Sequence, residues 1–414
     1  MASRNKKNKT TRSAAAKPDN KSNYSANIKV VGVGGGGCNP VSRMRDSGDL
    51  RGVEFVAINT DAQDLDFCSA RKKIYIGKNL TKGLGTGMNP ELGRQAAEEN
   101  RSEIIETLKG ADLVFVTAGL GGGTGSGASP VIAEAAREVG ALTVSIVTKP
   151  FSFEGAQRSR IASEALTKLK DKVDTYIVIP NDRIFSIISK DTPILKAFNV
   201  IDDVLKSAIS GISELIAQHG LVNVDFADVK AIMQNTGSAV VSVGVSTGAE
   251  RATNAVTAAI NSPLLETSIE GAKGVLFGVS GGRDLKMNEI NDIAKIISTS
   301  IDASAKIIFG AYHDKKIKQG AVKVTLIATN FNGTSTTKAS DNPSPSLFGS
   351  PATEIKTSFT SSSVFSPKDL MKEDVKKEAK DKESPGEPKL PIIKKKTADS
   401  VWDIPTFLRK NKRE

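Results

Sequence analysis

Gly119-Leu120-Gly121-Gly122-Gly123-Thr124-Gly125-Ser126-Gly127 is the informative stretch of this chain. It follows an apolar run, Leu113-Val114-Phe115-Val116, and leads into a helix-like segment at 128–139. Glycines between a strand and a helix let backbone N–H groups crowd around an anion at the helix N-terminus. The hydroxyls of Thr124 and Ser126 can add donors. The pattern reads as a polyphosphate cradle, but not of the Walker type, because no Lys-Ser or Lys-Thr pair closes it.

A second glycine turn lies upstream, Gly32-Val33-Gly34-Gly35-Gly36-Gly37, after the strand-like Ile28-Lys29-Val30-Val31. It satisfies G-x-G-x-x-G, which alone suggests a dinucleotide site, with Asp61 available as the acid for a ribose. Two phosphate-approaching turns on neighbouring strand ends suit one triphosphate better than a pyrophosphate. Around them, strand-like runs at 28–33, 53–59, 113–117, 142–148 and 176–180 alternate with helical stretches at 90–108, 131–139 and 157–169. That alternation predicts an α/β fold with a parallel sheet and helices on both faces.

Phe198, Ile201, Leu205, Ala208, Ile209, Ile212, Leu215 and Ile216 recur at helical spacing and predict a long buried helix. A second, smaller α/β region is expected at 229–331, with strands at 240–245, 274–279 and 322–328. From 332 onward Ser, Thr, Pro and Lys dominate, as in a disordered linker. The expected units are a basic tail at 1–27, a nucleotide-binding domain at 28–191, a central helix and loop at 192–228, the second domain at 229–331, a linker at 332–397 and a terminal peptide at 398–414.

The 414 residues suffice for two core-bearing domains plus tails. The net charge of +11 resides mostly in the ends: seven Lys or Arg against one Asp in 1–27, and sixteen against twelve acids in 332–414. Residues 28–331 are nearly neutral, so no nucleic-acid interface is expected in the core. Cys38 and Cys68 have neither disulfide-framework nor zinc spacing, and two histidines are too few for a metal cluster. No apolar run approaches the roughly 18 residues of a membrane span, and a cytoplasmic location is the simple expectation.

The run GGGTGSG resembles the signature of the tubulin/FtsZ family of GTPases, and the resemblance extends over 28–331 and 402–410. It is carried by Ala57-Ile58-Asn59-Thr60-Asp61-Ala62-Gln63, by Thr148-Lys149-Pro150-Phe151 with Phe153-Glu154-Gly155, by Ile179-Pro180-Asn181-Asp182, and by Asn223-Val224-Asp225-Phe226-Ala227-Asp228. The resemblance implies a tubulin/FtsZ-like fold and a GTPase that assembles into a head-to-tail homopolymer for cell division. It implies GTP or GDP as ligand, with Mg²⁺ bridging the phosphates and no protein ligand for the metal named by the sequence. The location implied is the division site in the cytoplasm, or the stroma of a bacterium-derived organelle.

By the same resemblance, Gly34, Gly35, Gly36 and Asn39 join Gly121, Gly122, Gly123, Thr124, Gly125, Ser126 and Gly127 around the nucleotide. Glu154 and Arg158 reach the ribose and phosphates, although their spacing of four also suits an intrahelical ion pair. Asn181 follows a strand end, where ligand groups gather in such sheets. Asp202 is the implied acceptor for the two guanine N–H groups and Phe198 the stacking ring, though periodicity alone would place Phe198 in the core.

Asn223, Asp225 and Asp228 are the implied catalytic set, polarising a water toward the γ-phosphate of a second molecule. Taken without the resemblance, two carboxylates three apart cap and solvate a helix start. At the chain's end Trp402, Ile404, Pro405, Phe407, Leu408 and Arg409 form an amphipathic peptide. A similar tail in the family binds membrane tethers of the FtsA or ZipA type. Two departures stand in the first glycine turn, where the family usually has Gly and Ala: Pro40 is expected in the first helical turn, and Cys38 beside the phosphates.

Overall fold

The computed structural model describes residues 26–331, apart from 49, 51, 190, 218, 219, 264, 266, 315 and 316. The expected tail, linker and terminal peptide, with Trp402, Ile404, Pro405, Phe407, Leu408 and Arg409, therefore lie outside the described residues, residues 26 and 27 excepted. Among the described residues there are ten strands: β1 (Ile28–Val33), β2 (Val53–Asn59), β3 (Lys72–Tyr75), β4 (Leu113–Gly119), β5 (Leu142–Lys149), β6 (Thr175–Pro180), β7 (Gly237–Thr247), β8 (Gly274–Gly281), β9 (Lys306–His313) and β10 (Ala321–Thr329). They form one sheet in the order β3-β2-β1-β4-β5-β6-β7-β10-β8-β9.

Neighbours from β3 to β7 run parallel. β10 is antiparallel to β7 and β8, and β9 is parallel to β8. The two halves are thus one continuous sheet, joined at the pairs Thr175↔Gly237 and Tyr176↔Ser238.

The parallel strands are buried on both faces, which is why they read as mainly apolar runs without strict alternation. Successive residues feed opposite cores: Val30 and Phe115 pack on one face, Val31, Val114 and Val116 on the other. The 24-residue helix Ile194–Ala217 spans roughly 36 Å. It buries Leu205, Ala208, Ile209, Ile212 and Leu215 in the first of these cores. Gly211 lets it approach β10, since a Cβ there would stand 2.7 Å from Thr325 Cγ2.

Three local expectations change. The helical stretch 90–108 is two helices, Pro90–Glu99 and Arg101–Leu108, broken at Asn100, whose side-chain oxygen accepts the Gly77 N–H at 3.0 Å. The helix after the second glycine turn begins at Thr124, not Ala128, so Thr124 and Ser126 belong to its first turn. β3 and β9 were not expected from sequence: β3 has only four residues, and β9 is an edge strand that exposes Ile307 and Phe309. Among the described residues no helix is long and apolar enough to cross a membrane.

Candidate functional site

β1 and β4 are adjacent and parallel, with Val33 opposite Ala118, so both glycine turns leave the same edge of the sheet. The first turn enters the helix Gly35–Ser47 through Gly34, whose φ of 67° is left-handed. A Cβ on Gly34 would lie 3.1 Å from the Gly125 nitrogen and 3.3 Å from Thr124 Cβ, so the two turns touch. Two helix N-termini consequently open side by side, each with unpaired N–H groups and a positive dipole end.

The glycines divide into two kinds. Gly36 and Asn39 are exposed, Gly35 and Gly122 half-buried, and a Cβ on Gly122 would meet nothing within 4 Å. Gly121 takes φ 101° against the Arg158 backbone. Gly123, Gly125 and Gly127 instead face protein: a Cβ would collide with Thr86 Oγ1, stand 2.5 Å from the Gly119 carbonyl oxygen, and collide with the Pro90 carbonyl, respectively. Those three glycines let backbones pack, whereas Gly122 borders open space; a Cβ on Gly35 would stand 2.9 Å from Asp64 Oδ2 and one on Gly36 3.0 Å from Gly119 Cα.

The hydroxyls of the second turn have partners inside the protein. Thr124 Oγ1 sits 2.7 Å from Thr60 Oγ1 and 3.2 Å from Thr86 Oγ1. Ser126 Oγ accepts the Gly121 N–H at 2.9 Å. Cys38 is 1 % exposed and lies 3.5 Å from the Gly32 carbonyl oxygen, so its side chain turns into the core rather than toward the turn. Pro40 is the sixth residue of its helix, beyond the first turn, and cannot donate to the Gly36 carbonyl.

The neighbouring strand ends bring the rest of the pocket wall. After β5, Glu154 pairs with Arg158 at 2.5 Å and accepts the Phe151 N–H at 2.9 Å. After β6, Asn181 is 9 % exposed and its Oδ1 is buried without a hydrogen-bond partner. Phe198, 43 % exposed on the central helix, meets the buried Phe151 ring edge-on at 5.9 Å. Phe153 stacks on the same Phe151 at 4.8 Å and Phe185 tilts against it at 5.5 Å.

One turn beyond Phe198, Asp202 is paired with Arg43 at 2.8 Å. Burial is the largest influence on Asp202 and pushes its carboxyl up to about 6, with Asp203 adding to the rise and Arg43 opposing it. Arg43 and Thr86 did not stand out in the sequence, and Thr60 did so only within the run 57–63. Arg43 follows Gly36 by seven residues, two helical turns, and that spacing is the signal that places it on the same face. Asp61, the acid a dinucleotide site would need, caps the helix Ala62–Phe67 by accepting the N–H groups of Gln63 and Asp64.

The acidic loop stands elsewhere. Asp225 caps the helix Phe226–Met233 and accepts the Asp228 N–H at 2.8 Å, while Asn223 accepts the Gly220 N–H at 2.6 Å. Asn223 and Asp225 are exposed and Asp228 is half-buried. That helix ends against Thr175, the first residue of β6, whose hydroxyl donates to the Met233 carbonyl. The helix that follows the loop therefore ends at the N-terminal edge of the strands, while the glycine turns leave the C-terminal edge, roughly 20 Å away along a six-residue strand. One chain does not bring Asn223, Asp225 and Asp228 to the glycine turns. Among the described residues no three His, Cys, Asp or Glu side chains group as a metal site.

This sheet, with paired glycine turns on one edge and a central helix leading to an acidic loop on the other, defines a tubulin-like α/β protein. The tubulin/FtsZ family GTPase domain matches residues 27–189, and the FtsZ family C-terminal domain matches 237–332. FtsZ of M. jannaschii, solved as an empty dimer, is 47 % identical over 73 % of this chain and 88 % of its own, with a TM-score of 0.69. A point variant of the same protein gives 47 % over 74 % and 91 %, with a TM-score of 0.70. CetZ2 from Haloferax volcanii, a GTPγS-bound protofilament, shares the fold at 22 % identity and a TM-score of 0.63 over 73 % and 92 %. The chain belongs to the tubulin/FtsZ family.

Proposed function

We propose that this protein is a GTPase that polymerises head to tail, with the loop at 223–228 of one subunit completing the nucleotide site of the next. The observation that carries this reading is the separation of the acidic loop from the glycine turns, at opposite edges of one sheet. A site whose phosphate cradle and whose acidic groups lie on opposite ends of a molecule is complete only between two molecules. A contact of that kind is heterologous and, unless it closes, propagates as a filament. The relatives solved as a dimer and as a protofilament support self-assembly here.

GTP fits the residues present. The open space at Gly122 and the first-turn N–H groups of the helix that begins at Gly35 suit phosphates, and the unpartnered Asn181 Oδ1 awaits a donor. Ionised Asp202 would accept two guanine N–H groups, with Phe198 against the base and the Glu154–Arg158 pair toward ribose and phosphate. Bound Mg²⁺ would neutralise phosphate charge and be held chiefly by the nucleotide. Asn223, Asp225 and Asp228 from the neighbour would orient the attacking water in line with the γ-phosphate. The cellular role consistent with this is the division ring, in the cytoplasm at the division site, with the peptide around Trp402, Ile404 and Phe407 docking a membrane tether of the FtsA or ZipA type.

The test is GTP turnover per molecule against protein concentration, with light scattering, for wild type and Asp228→Ala. Turnover that rises above a threshold together with scattering, and is lost in the variant, is the expected result. Turnover independent of concentration means the site is complete in one chain and overturns the reading.

A further inference from the structure

The acidic loop must hold its shape before any neighbour arrives, and the described residues contain a specific brace for it. Edge strand β9 reaches under the loop. The Leu221 and Val222 N–H groups both donate to the Ala311 carbonyl, at 2.7 and 3.2 Å, and the Ala311 N–H donates back to Val222 at 3.0 Å. The next residue, Tyr312, is 2 % exposed, and its hydroxyl donates to the Leu215 carbonyl at 2.9 Å.

Leu215 lies in the last turn of the central helix, where carbonyls lack partners within the helix. Burial pushes the phenol up to about 12 and keeps it a donor. Close approach is permitted by two glycines. A Cβ on Gly310 would collide with the phenol oxygen, and one on Gly220 would collide with the Ala311 carbonyl and stand 2.8 Å from Tyr312 Cδ1.

We propose that Tyr312 is the positioning residue of the acidic loop, its buried hydroxyl fastening to the end of the central helix the strand β9, whose Ala311 holds Leu221 and Val222 just ahead of Asn223, Asp225 and Asp228. This rests on the reading that the loop serves the nucleotide of a neighbouring subunit. The phenol touches no nucleotide, so its contribution is to where the loop groups stand, and rate is sensitive to displacement at that scale.

The test uses the full chain carrying Tyr312→Phe, which deletes one hydroxyl, and Gly220→Ala, which keeps the hydroxyl but forces the loop away from both the Ala311 carbonyl and the ring. Three quantities are read: affinity of dilute protein for a fluorescent GTP analogue, scattering with a slowly hydrolysed analogue, and turnover per subunit in the polymer. Expected are unchanged affinity and assembly with turnover roughly tenfold lower and KM unmoved. Mixing Tyr312→Phe with Asp202→Asn subunits, which carry an intact loop, should give turnover above the sum of the two alone. Full turnover in both variants overturns the inference, as does a loss that travels with weaker GTP affinity or is not restored by mixing. If Asp228→Ala itself retains turnover, the shared-site reading fails first and the brace has no catalytic consequence.

Discussion

Arg43 and Asp202, 159 positions apart in sequence, form a 2.8 Å ion pair that fastens the helix after the first glycine turn to the start of the central helix. The pair ties together the two helices that the nucleotide site, as proposed, draws on for phosphate and for base. Its acid is 14 % exposed, and burial outweighs the nearby guanidinium, leaving the carboxyl near 6 instead of near 4.

GTP affinity should therefore depend on pH. Ionised Asp202 accepts the base N–H groups, so affinity falls as pH drops through about 6, whereas Asp202→Asn binds weakly and without that inflection. Arg43→Ala removes the influence that lowers the carboxyl and moves the inflection to higher pH. Without nucleotide the sign reverses. A carboxyl whose folded pKa exceeds its unfolded value stabilises the fold while protonated, so this contribution shrinks as pH rises from about 4 to about 6. Titrations with a fluorescent GTP analogue from pH 5 to 8 check the first effect, and denaturant melts from about pH 4 to about 7 check the second.

Asn181→Leu separates a ligand contact from a structural one. A buried polar atom without a partner costs about 1–3 kcal/mol, so removing Asn181 Oδ1 should leave the melting temperature unchanged or raised. GTP affinity should fall roughly tenfold, since the bond the nucleotide would make is gone. A lowered melting temperature with intact binding would assign Asn181 to the fold alone.

The glycines of the second turn should behave oppositely. Gly127→Ala drives a methyl into the Pro90 carbonyl and should cost about 3 kcal/mol of stability. Gly122→Ala meets open space and should change stability by no more than about 0.5 kcal/mol, while weakening GTP roughly tenfold by filling that space. Calorimetry paired with nucleotide titration measures both.

Asp61→Ala should cost about 1 kcal/mol, the usual value of a lost helix N-cap, because its carboxylate accepts Gln63 and Asp64 N–H groups at 3.0 and 3.1 Å. A urea melt reads the change, and an unaltered midpoint would show that these two bonds contribute nothing net.

Much of the architecture was legible in the chain because it is encoded locally. The runs at 28–33, 53–59 and 113–117 are predominantly apolar, as strands buried on both faces are, and Ile201 to Ile216 repeat at helical spacing. β9 escaped notice because an edge strand that exposes Ile307 and Phe309 carries no clean alternation. Asn100 divides two helices by a bond to Gly77, which no local pattern announces.

What consecutive residues encode is periodicity and chain reversal, so the parallel α/β alternation, the two glycine turns and the central helix follow from the amino-acid order. Tertiary structure alone decides which glycines border open space and which admit another backbone, as Gly122 and Gly127 show. It also decides that two expected domains share a single sheet through the pairs at Thr175 and Tyr176. Only strand order places Asp225 and Asp228 on the edge opposite Gly35 and Gly122, and only close packing sets Tyr312 beneath their loop. Such relationships join residues far apart in the chain, and their geometry is settled by how the layers pack.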